Sequence, residues 1–183
     1  MAQPTNTQLN TKRTWTRDGF VISTDASLIP IAALTQAFES SQLYWAKGLP
    51  EDVMREILEH SLCFGLYTTT SPPTTTSGET PPAPPPPTNL IGFARCITDR
   101  VTLIYLTDVY IAPEHQGRGL GKWLVNCVQE VISDMPHLRR SLLITGAGDT
   151  GKRFYGDLMG MHEVSAATGD AVVLSARGPG CSF

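Results

Sequence analysis

Charged side chains are scarce in this chain of 183 residues, since Asp, Glu, Lys and Arg together make up only 17%. About 25% is usual for globular proteins. Acidic residues outnumber basic ones by 17 to 14, and the pI is about 5.8. A nucleic-acid-binding domain usually has a basic face or a pI above about 9. The composition therefore predicts that no nucleic acid is bound.

Cysteine pairs, metal-ligand motifs and long apolar runs are absent from the sequence as well. The histidines form no HExxH motif, and four widely spaced cysteines form no CxxC pair: Cys63, Cys96, Cys127 and Cys181. This spacing favours buried free thiols in a reducing compartment and gives no support to a metal site. No run approaches the roughly 18 apolar residues of a membrane span, and the polar stretch Met1–Thr16 lacks the apolar core of a secretory signal. We expect a cytoplasmic protein with no membrane partner, and access to the nucleus is left open.

Proline and threonine, by contrast, are concentrated between Thr68 and Thr88. Of these 21 residues, 8 are Pro and 8 are Thr. Such a composition buries too little apolar surface to offset the entropy of ordering. We therefore predict a disordered, low-complexity loop inserted over residues 68–88. A PxxP segment at Pro81–Pro84 keeps an interaction module as an alternative.

The remaining patterns predict one mixed α/β domain over residues 20–183, preceded by a loose N-terminal arm over residues 1–19. Runs rich in β-branched and aromatic residues predict strands, and apolar residues at helical spacing predict helices. The expected strands are Phe20–Thr24, Leu62–Thr68, Asn89–Asp99, Val101–Ala112, Ser141–Thr145 and Ala171–Ser175. The expected helices are Ile29–Ser40, Pro50–His60, one from the glycine-rich turn at Gln116–Gly121 to about Asp134, and Thr150–Met159.

The glycine-rich turn is the most informative segment. Its three glycines would let the backbone approach a ligand closely. The first N–H groups of the following helix lack intrahelical partners and carry partial positive charge. With Arg118 and Lys122 nearby, this predicts an anion site suited to a diphosphate. A P-loop would need a hydroxyl residue where Trp123 stands, and the glycine spacing is not that of a Rossmann fingerprint. A purely structural turn is the alternative.

The segment Gln116-Gly117-Arg118-Gly119-Leu120-Gly121 matches the Q/R-x-x-G-x-G/A motif in full. In this the chain resembles the GNAT superfamily of N-acetyltransferases, over most of Phe20–Ser175. The resemblance implies a GNAT fold, with a central mixed sheet of about six to seven strands flanked by about four helices. It also implies acetyl-CoA as the cofactor, with its pyrophosphate on the turn and its pantetheine arm and acetyl carbonyl on the preceding strand. The implied cofactor-binding residues are Val109, Tyr110, Ile111, Gln116, Gly117, Arg118, Gly119, Leu120, Gly121 and Lys122.

Two further residues take catalytic roles from the same resemblance. Arg153-Phe154-Tyr155-Gly156, followed by Gly160-Met161, resembles the family's F-Y-x-x-x-G-F segment, which implies that Tyr155 is the general acid for the leaving thiolate. The run I-Y-L-T-D resembles the I-Y-L-E-D strand of diamine acetyltransferases, which implies that Asp108 is a base or amine anchor. Such a base is useful because an amine of pKa near 10 is only about one part in a thousand unprotonated at neutral pH. Packing of Tyr155 and a structural ion pair of Asp108 are the alternatives.

The predicted function is direct transfer of acetyl from acetyl-CoA to a primary amine of a small molecule or peptide, without a Ser or Cys nucleophile. Tyr44 and Trp45, between the first two helices, would suit an aromatic or small apolar amine, and capping of the core edge is their alternative role. Homodimers are common in such folds, although this sequence carries no signature of one. A non-catalytic acyl-CoA-binding protein is the alternative function.

Overall fold

A computed structural model describes residues 11–43, 46–69, 87–146 and 148–165. One mixed sheet contains six strands in chain order: β1 (Thr14–Arg17), β2 (Phe20–Ser23), β3 (Leu62–Thr69), β4 (Pro87–Thr98), β5 (Leu103–Ile111) and β6 (Arg140–Leu143). Neighbouring strands are antiparallel except for β5 and β6, which are parallel. Four helices flank the sheet: α1 (Ile31–Phe38), α2 (Glu51–Glu59), α3 (Leu120–Ser133) and α4 (Asp149–Met159). The predicted fold class is confirmed for these residues.

Alternation along the strands gives the sheet a hydrophobic core on each face. On β3, Leu62, Phe64 and Leu66 pack in the core beneath α3 and α4, whereas Cys63 and Tyr67 pack in the core beneath α1 and α2. We call these the α3–α4 core and the α1–α2 core. The sheet is therefore the middle layer of three, with a separate pair of helices on each side.

The apolar stripes of the helices fit these two cores. On α3 every third or fourth residue is buried, and the buried set is Leu120, Leu124, Val125, Cys127, Val128, Val131 and Ile132. Helix α2 begins after Pro50 with Glu51 and Asp52 in its first turn, where carboxylates offset the positive end of the helix dipole. Both helices were predicted from these same patterns.

The sheet begins earlier than the sequence indicated, because Thr14–Arg17 forms β1 within the stretch expected to be a loose arm. This edge strand pairs with β2. The Trp15 ring stacks on Phe64 with centroids 6.1 Å apart, and its indole donates to the Glu130 carboxylate at 3.0 Å. These partners are distant in sequence, so a local pattern could not reveal them. Part of the predicted arm therefore belongs to the sheet.

Several predictions fall on residues outside the described ranges. They are the strand Ala171–Ser175, most of the Pro/Thr-rich insertion, and the thiol of Cys181. The other three cysteines are free and buried, and burial raises the pKa of the Cys63 and Cys127 thiols to about 12. Among the described helices, none combines the length and the apolar character that crossing a membrane requires.

Candidate active site

Strands β5 and β6 separate at one end of the sheet. Their parallel pairing ends at Leu106 opposite Leu143, where β6 stops, while β5 continues to Ile111. Beyond this point, none of the described strands pairs with the edge of β5 that faced β6. A cavity of about 210 Å³ lies between the diverging chains, and its lining includes Tyr105, Thr107, Asp108, Val109, Leu143, Ile144, Thr145 and Tyr155. We call this space the strand cleft.

A β-bulge interrupts β5 at the cleft. Phe93 on β4 lies opposite Tyr110 and Arg95 lies opposite Thr107, so two β5 residues, Asp108 and Val109, face the single position between Phe93 and Arg95. Asp108 has a φ of 52°, a left-handed conformation that is uncommon outside glycine but accessible to aspartate. The extra residue reverses the alternation of side chains from this position onward.

The reversal keeps apolar side chains of β5 in one core on both sides of the bulge. Ile104 and Leu106 are buried in the α3–α4 core, and Val109 and Ile111 pack against the same core. Leu106 and Val109 are three positions apart, an odd spacing that would put them on opposite faces of a regular strand. The shift of the apolar pattern by one residue at Asp108 is the sequence signal of a bulge. The bulge was not predicted from the sequence.

Asp108 is held by a buried polar network. Its side chain is 5% exposed, and its Oδ2 accepts a hydrogen bond from Nε of Arg95 at 2.7 Å. Its Oδ1 accepts from the hydroxyl of Thr107 at 3.1 Å. The guanidinium also donates to Oγ of Ser61 at 3.3 Å. Both carboxylate oxygens therefore have protein partners, which agrees with the alternative of a structural ion pair.

The glycine turn precedes α3 directly and is open on its outer side. Gly117 and Gly119 have φ values of 73° and 74°, which glycine adopts without steric cost. A Cβ at either position would meet no atom within 4 Å. The first hydrogen bond in α3 runs from the N–H of Trp123 to the carbonyl of Gly119 at 3.1 Å. The N–H groups of residues 120–122 precede that bond and have no partner inside the helix.

The turn and β5 line one common cavity of about 340 Å³, which we call the turn cleft. Its lining consists of Gln42, Leu43, Val109, Tyr110, Ile111, Gln116, Gly117, Gly119, Leu120, Gly121, Lys122 and Phe154. The structure therefore brings nine of the ten predicted cofactor-binding residues together around one space. Val109 also lines the strand cleft, so this residue borders both spaces.

Arg118 is the predicted cofactor residue that does not line the turn cleft. Its guanidinium lies 4.8 Å from the centre of the Phe20 ring and 3.4 Å from Nδ1 of His115. The side chain therefore ties the turn to β2. Gln116 is tied in a different direction, because its amide donates to the carbonyl of Ile111 at 2.9 Å and to the side chain of Gln42 at 2.8 Å.

Tyr155 lies on α4, is half-buried, and packs against the α3–α4 core. It lines the strand cleft together with Asp108 and Val109. Burial raises the pKa of its phenol above the usual value. The phenol therefore keeps its proton at neutral pH and can act as a hydrogen-bond donor within the cleft.

The structure does not describe Tyr44 and Trp45, the predicted acceptor residues. Two residues of the connection that carries them, Gln42 and Leu43, line the turn cleft. Sequence reasoning missed Gln42 and Arg95, each of which contacts a predicted site residue across many positions of sequence. In the described part of the chain, no group of three His, Cys, Asp or Glu side chains could hold a metal ion.

Comparison with known proteins gives consistent results. A sequence model of the acetyltransferase (GNAT) family matches residues 85–161. A protein of Gibberella zeae classed as an acetyltransferase is 38% identical over 159 residues, covering 84% of this chain and 90% of that protein.

Solved structures agree with the sequence relatives. A GNAT-family protein of Xanthomonas campestris pv. campestris is 28% identical, with a TM-score of 0.64 covering 88% of this chain and 94% of that chain. The glucosamine-6-phosphate N-acetyltransferase of Arabidopsis thaliana is similar in fold alone, with 15% identity and a TM-score of 0.52 over 86% and 97% of the two chains. The match to the family model and the 38% identity with the Gibberella protein show that this chain belongs to the GNAT family of acetyltransferases.

Proposed function

We propose that this protein transfers an acetyl group from acetyl-CoA to a primary amine of a small molecule or peptide. The observation that carries the proposal is the turn cleft, in which the N-terminus of α3 and the part of β5 beyond β6 share one space. A helix N-terminus suits a diphosphate, and an unpaired strand edge suits an extended chain that bears amide groups. Acetyl-CoA contains both of these parts.

The residues of the turn fit a diphosphate. The N–H groups of residues 120–122 have no intrahelical acceptor, and the helix dipole favours an anion at this end. The open outer side of Gly117 and Gly119 leaves room for phosphate oxygens close to the backbone. Lys122 adds a cation at the lining, and Arg118 contributes positive charge while its side chain rests on Phe20.

The backbone of Val109, Tyr110 and Ile111 would hold the pantetheine arm, because no strand within the described ranges pairs with this part of β5 on its β6 side. When bound, acetyl-CoA supplies an acetyl thioester, whose carbonyl carbon the amine nitrogen attacks directly. Tyr155 holds a proton at its phenol oxygen in the strand cleft, and burial keeps that proton in place at neutral pH. We assign it the role of general acid for the leaving thiolate.

The acceptor amine would enter from the side of the α1–α2 core, where Gln42 and Leu43 begin the connection that carries Tyr44 and Trp45. Asp108 places a carboxylate on the strand cleft, but Arg95 already compensates its charge at 2.7 Å. The network therefore supports Asp108 as an anchor of the site more than as the base, and water would carry the amine proton to solvent.

Acetylation of a panel of primary amines, read by mass spectrometry, tests the proposal. We expect a mass gain of one acetyl group on at least one amine, with loss of acetyl-CoA in equal amount. The control is a Gly119→Glu variant, which should lose transfer. Calorimetric binding of coenzyme A without transfer to any amine would contradict the enzyme and favour the non-catalytic acyl-CoA-binding protein. Absence of binding would contradict both.

A further inference from the structure

The bulge on β5 is contacted by Arg95, a residue of β4 that lies outside the cofactor motif. Arg95 lies on β4 directly opposite Thr107 and also directly opposite Cys63 on β3. Cross-strand partners share a face of the sheet, and Cys63 belongs to the α1–α2 core. The Arg95 side chain therefore lies on the face from which the acceptor would enter, and it reaches along that face to the carboxylate of Asp108.

This contact joins a buried charge to a strained backbone. Asp108 is the residue of the bulge with positive φ, and such a conformation persists only when the surroundings hold it in place. The carboxylate is 5% exposed and the Arg95 side chain 17% exposed, so few waters can substitute for the partner. The Arg95 guanidinium is itself fixed by Ser61, at the start of β3. The bulge is thus bound through side chains to the middle of the sheet.

From these contacts we infer that Arg95 is a positioning residue: it holds Asp108, and through Asp108 the backbone of Val109, in the bulged conformation that opens β5 to the acetyl thioester. The inference rests on the proposed function, since Val109 is the residue that borders both clefts. It gives Asp108 a fixed structural partner, in place of the proton-transfer role that the resemblance to diamine acetyltransferases implied. Nothing in this role requires either side chain to contact the reacting atoms.

A double-mutant cycle on kcat tests this inference, with Arg95→Gln, Asp108→Asn and the double variant. Because both residues act through one bulge, we expect each single change to lower kcat about tenfold and the double change to lower it by no more than that. KM for acetyl-CoA should rise by no more than about threefold, because the change reaches only Val109 beside the pantetheine arm and leaves the glycine turn in place. Independent effects that multiply, or a kcat for Arg95→Gln within about twofold of wild type, would overturn the inference.

The pH profile separates positioning from proton transfer. If Asp108 were the base, Asp108→Asn would abolish the acidic limb of kcat. If the two residues position the backbone, the pH at the midpoint of the acidic limb of kcat should be the same in all three variants as in the wild type. Only the maximal value of kcat should fall. A shifted or missing limb would refute the positioning role.

Hydrogen exchange supplies a readout that needs no acceptor. Arg95→Gln should speed amide exchange in the peptide covering residues 103–111 by about tenfold. The matched control is Arg13→Gln, which breaks a comparable 2.7 Å pair with Asp134 away from both clefts and should leave that peptide unchanged. Should Arg95→Gln fail to fold, the double variant removes both buried charges and carries the same test. A wild-type protein that acetylates no amine would refute the proposed function, whereas unchanged exchange would refute the positioning by Arg95.

Discussion

Leu106 on β5 and Leu143 on β6 form the last pair of the only parallel ladder among the described strands. Two residues later the bulge at Asp108 turns the β5 backbone, and on the other side β6 gives way to the connection that leads to α4. Parallel strands must be joined by a long crossover connection. Between β5 and β6 this connection contains α3, the helix that begins at the glycine turn. The strand cleft and the glycine turn thus both belong to the β5–α3–β6 unit.

Gly119→Glu should weaken coenzyme A binding by at least about 2 kcal/mol, because a carboxylate would stand where phosphate oxygens are proposed to bind. The measurement is isothermal calorimetry. Gly19→Glu is the matched control, since Gly19 has a φ of 80°, equally open surroundings and a position in the β1–β2 turn. Both variants carry the same backbone strain and the same charge. An equal loss of affinity in both would contradict a phosphate site at the turn.

Tyr155→Phe should lower kcat by about 10²-fold and leave coenzyme A affinity nearly unchanged, if the phenol protonates the leaving thiolate. The acid form is the active one, and burial raises the pKa of the phenol. The wild-type enzyme should therefore keep its activity up to a higher pH than an unburied tyrosine would allow. Steady-state kinetics across alkaline pH measure both effects. Unchanged turnover with a lowered Tm would indicate that Tyr155 is a packing residue.

Tyr67→Phe should stabilise the protein. The Tyr67 ring is 1% exposed in the α1–α2 core, and its hydroxyl has no hydrogen-bond partner among the described residues. Removing a buried, unsatisfied hydroxyl should increase the free energy of unfolding by about 1 kcal/mol. Denaturant titration measures this change. A loss of stability would contradict the unsatisfied state of this hydroxyl, and kinetic constants should not change because the residue lies outside both clefts.

Asp99→Asn should reduce the dependence of stability on acid pH. Asp99 lies between β4 and β5 and accepts hydrogen bonds from the hydroxyl of Thr102 and from the N–H groups of Val101, Thr102 and Leu103. These bonds, the Thr102 hydroxyl first among them, hold the pKa of its carboxyl well below the usual range. A carboxyl with a lowered folded-state pKa stabilises the fold above its unfolded pKa, and this contribution is lost as pH falls toward the folded value.

The Tm of the wild type should therefore exceed that of Asp99→Asn near pH 5, and the difference should narrow toward about pH 2. Thermal unfolding followed by circular dichroism at both pH values measures it. Asp18→Asn is a suitable control because Asp18 lies in the exposed turn between β1 and β2, where its side chain is 81% exposed. A difference between wild type and Asp99→Asn that stays constant with pH would contradict the assignment.

Replacing residues 70–86 by an Asn-Gly turn should leave the fold and coenzyme A affinity intact. Thr69 and Pro87 lie opposite each other at the ends of β3 and β4, and the hydroxyl of Thr88 donates to the carbonyl of Thr68 at 2.9 Å. The insertion thus enters and leaves the sheet at adjacent positions, which a two-residue hairpin turn can join. A Tm lowered by more than about 5 °C would show that the insertion packs on the domain.

The glycine turn and the helices could be predicted from sequence because their signals are local. Gly117 and Gly119, directly ahead of an apolar stripe, specify the start of α3 without reference to any other part of the chain. Pro50 followed by two acidic residues does the same for α2. Such patterns depend on residues within one or two turns of each other. Long-range packing does not change where α2 and α3 begin.

The bulge and β1 were not predicted, because long-range contacts decide them. Thr14–Arg17 is short and mixed in polarity, and its stability comes from pairing with β2 and from the contact of Trp15 with Glu130. Arg95 and Asp108 are separated by the β4–β5 hairpin, so their pairing depends on the register of two strands. The one-residue shift of the apolar pattern at Asp108 could have identified the bulge but not its arginine partner.

The two cores divide the proposed substrates between opposite faces of the sheet. The α3–α4 face carries the helix that follows the glycine turn and the phenol of Tyr155, whereas Gln42 and Leu43 belong to the connection between α1 and α2. Substitutions in the α1–α2 layer that spare Gln42 and Leu43 could thus alter the accepted amine without changing the lining of the turn cleft. A directed-evolution library for new acceptors should therefore keep Gln42 and Leu43 unchanged, because Gln42 contacts Gln116 of the glycine turn and both residues line the turn cleft.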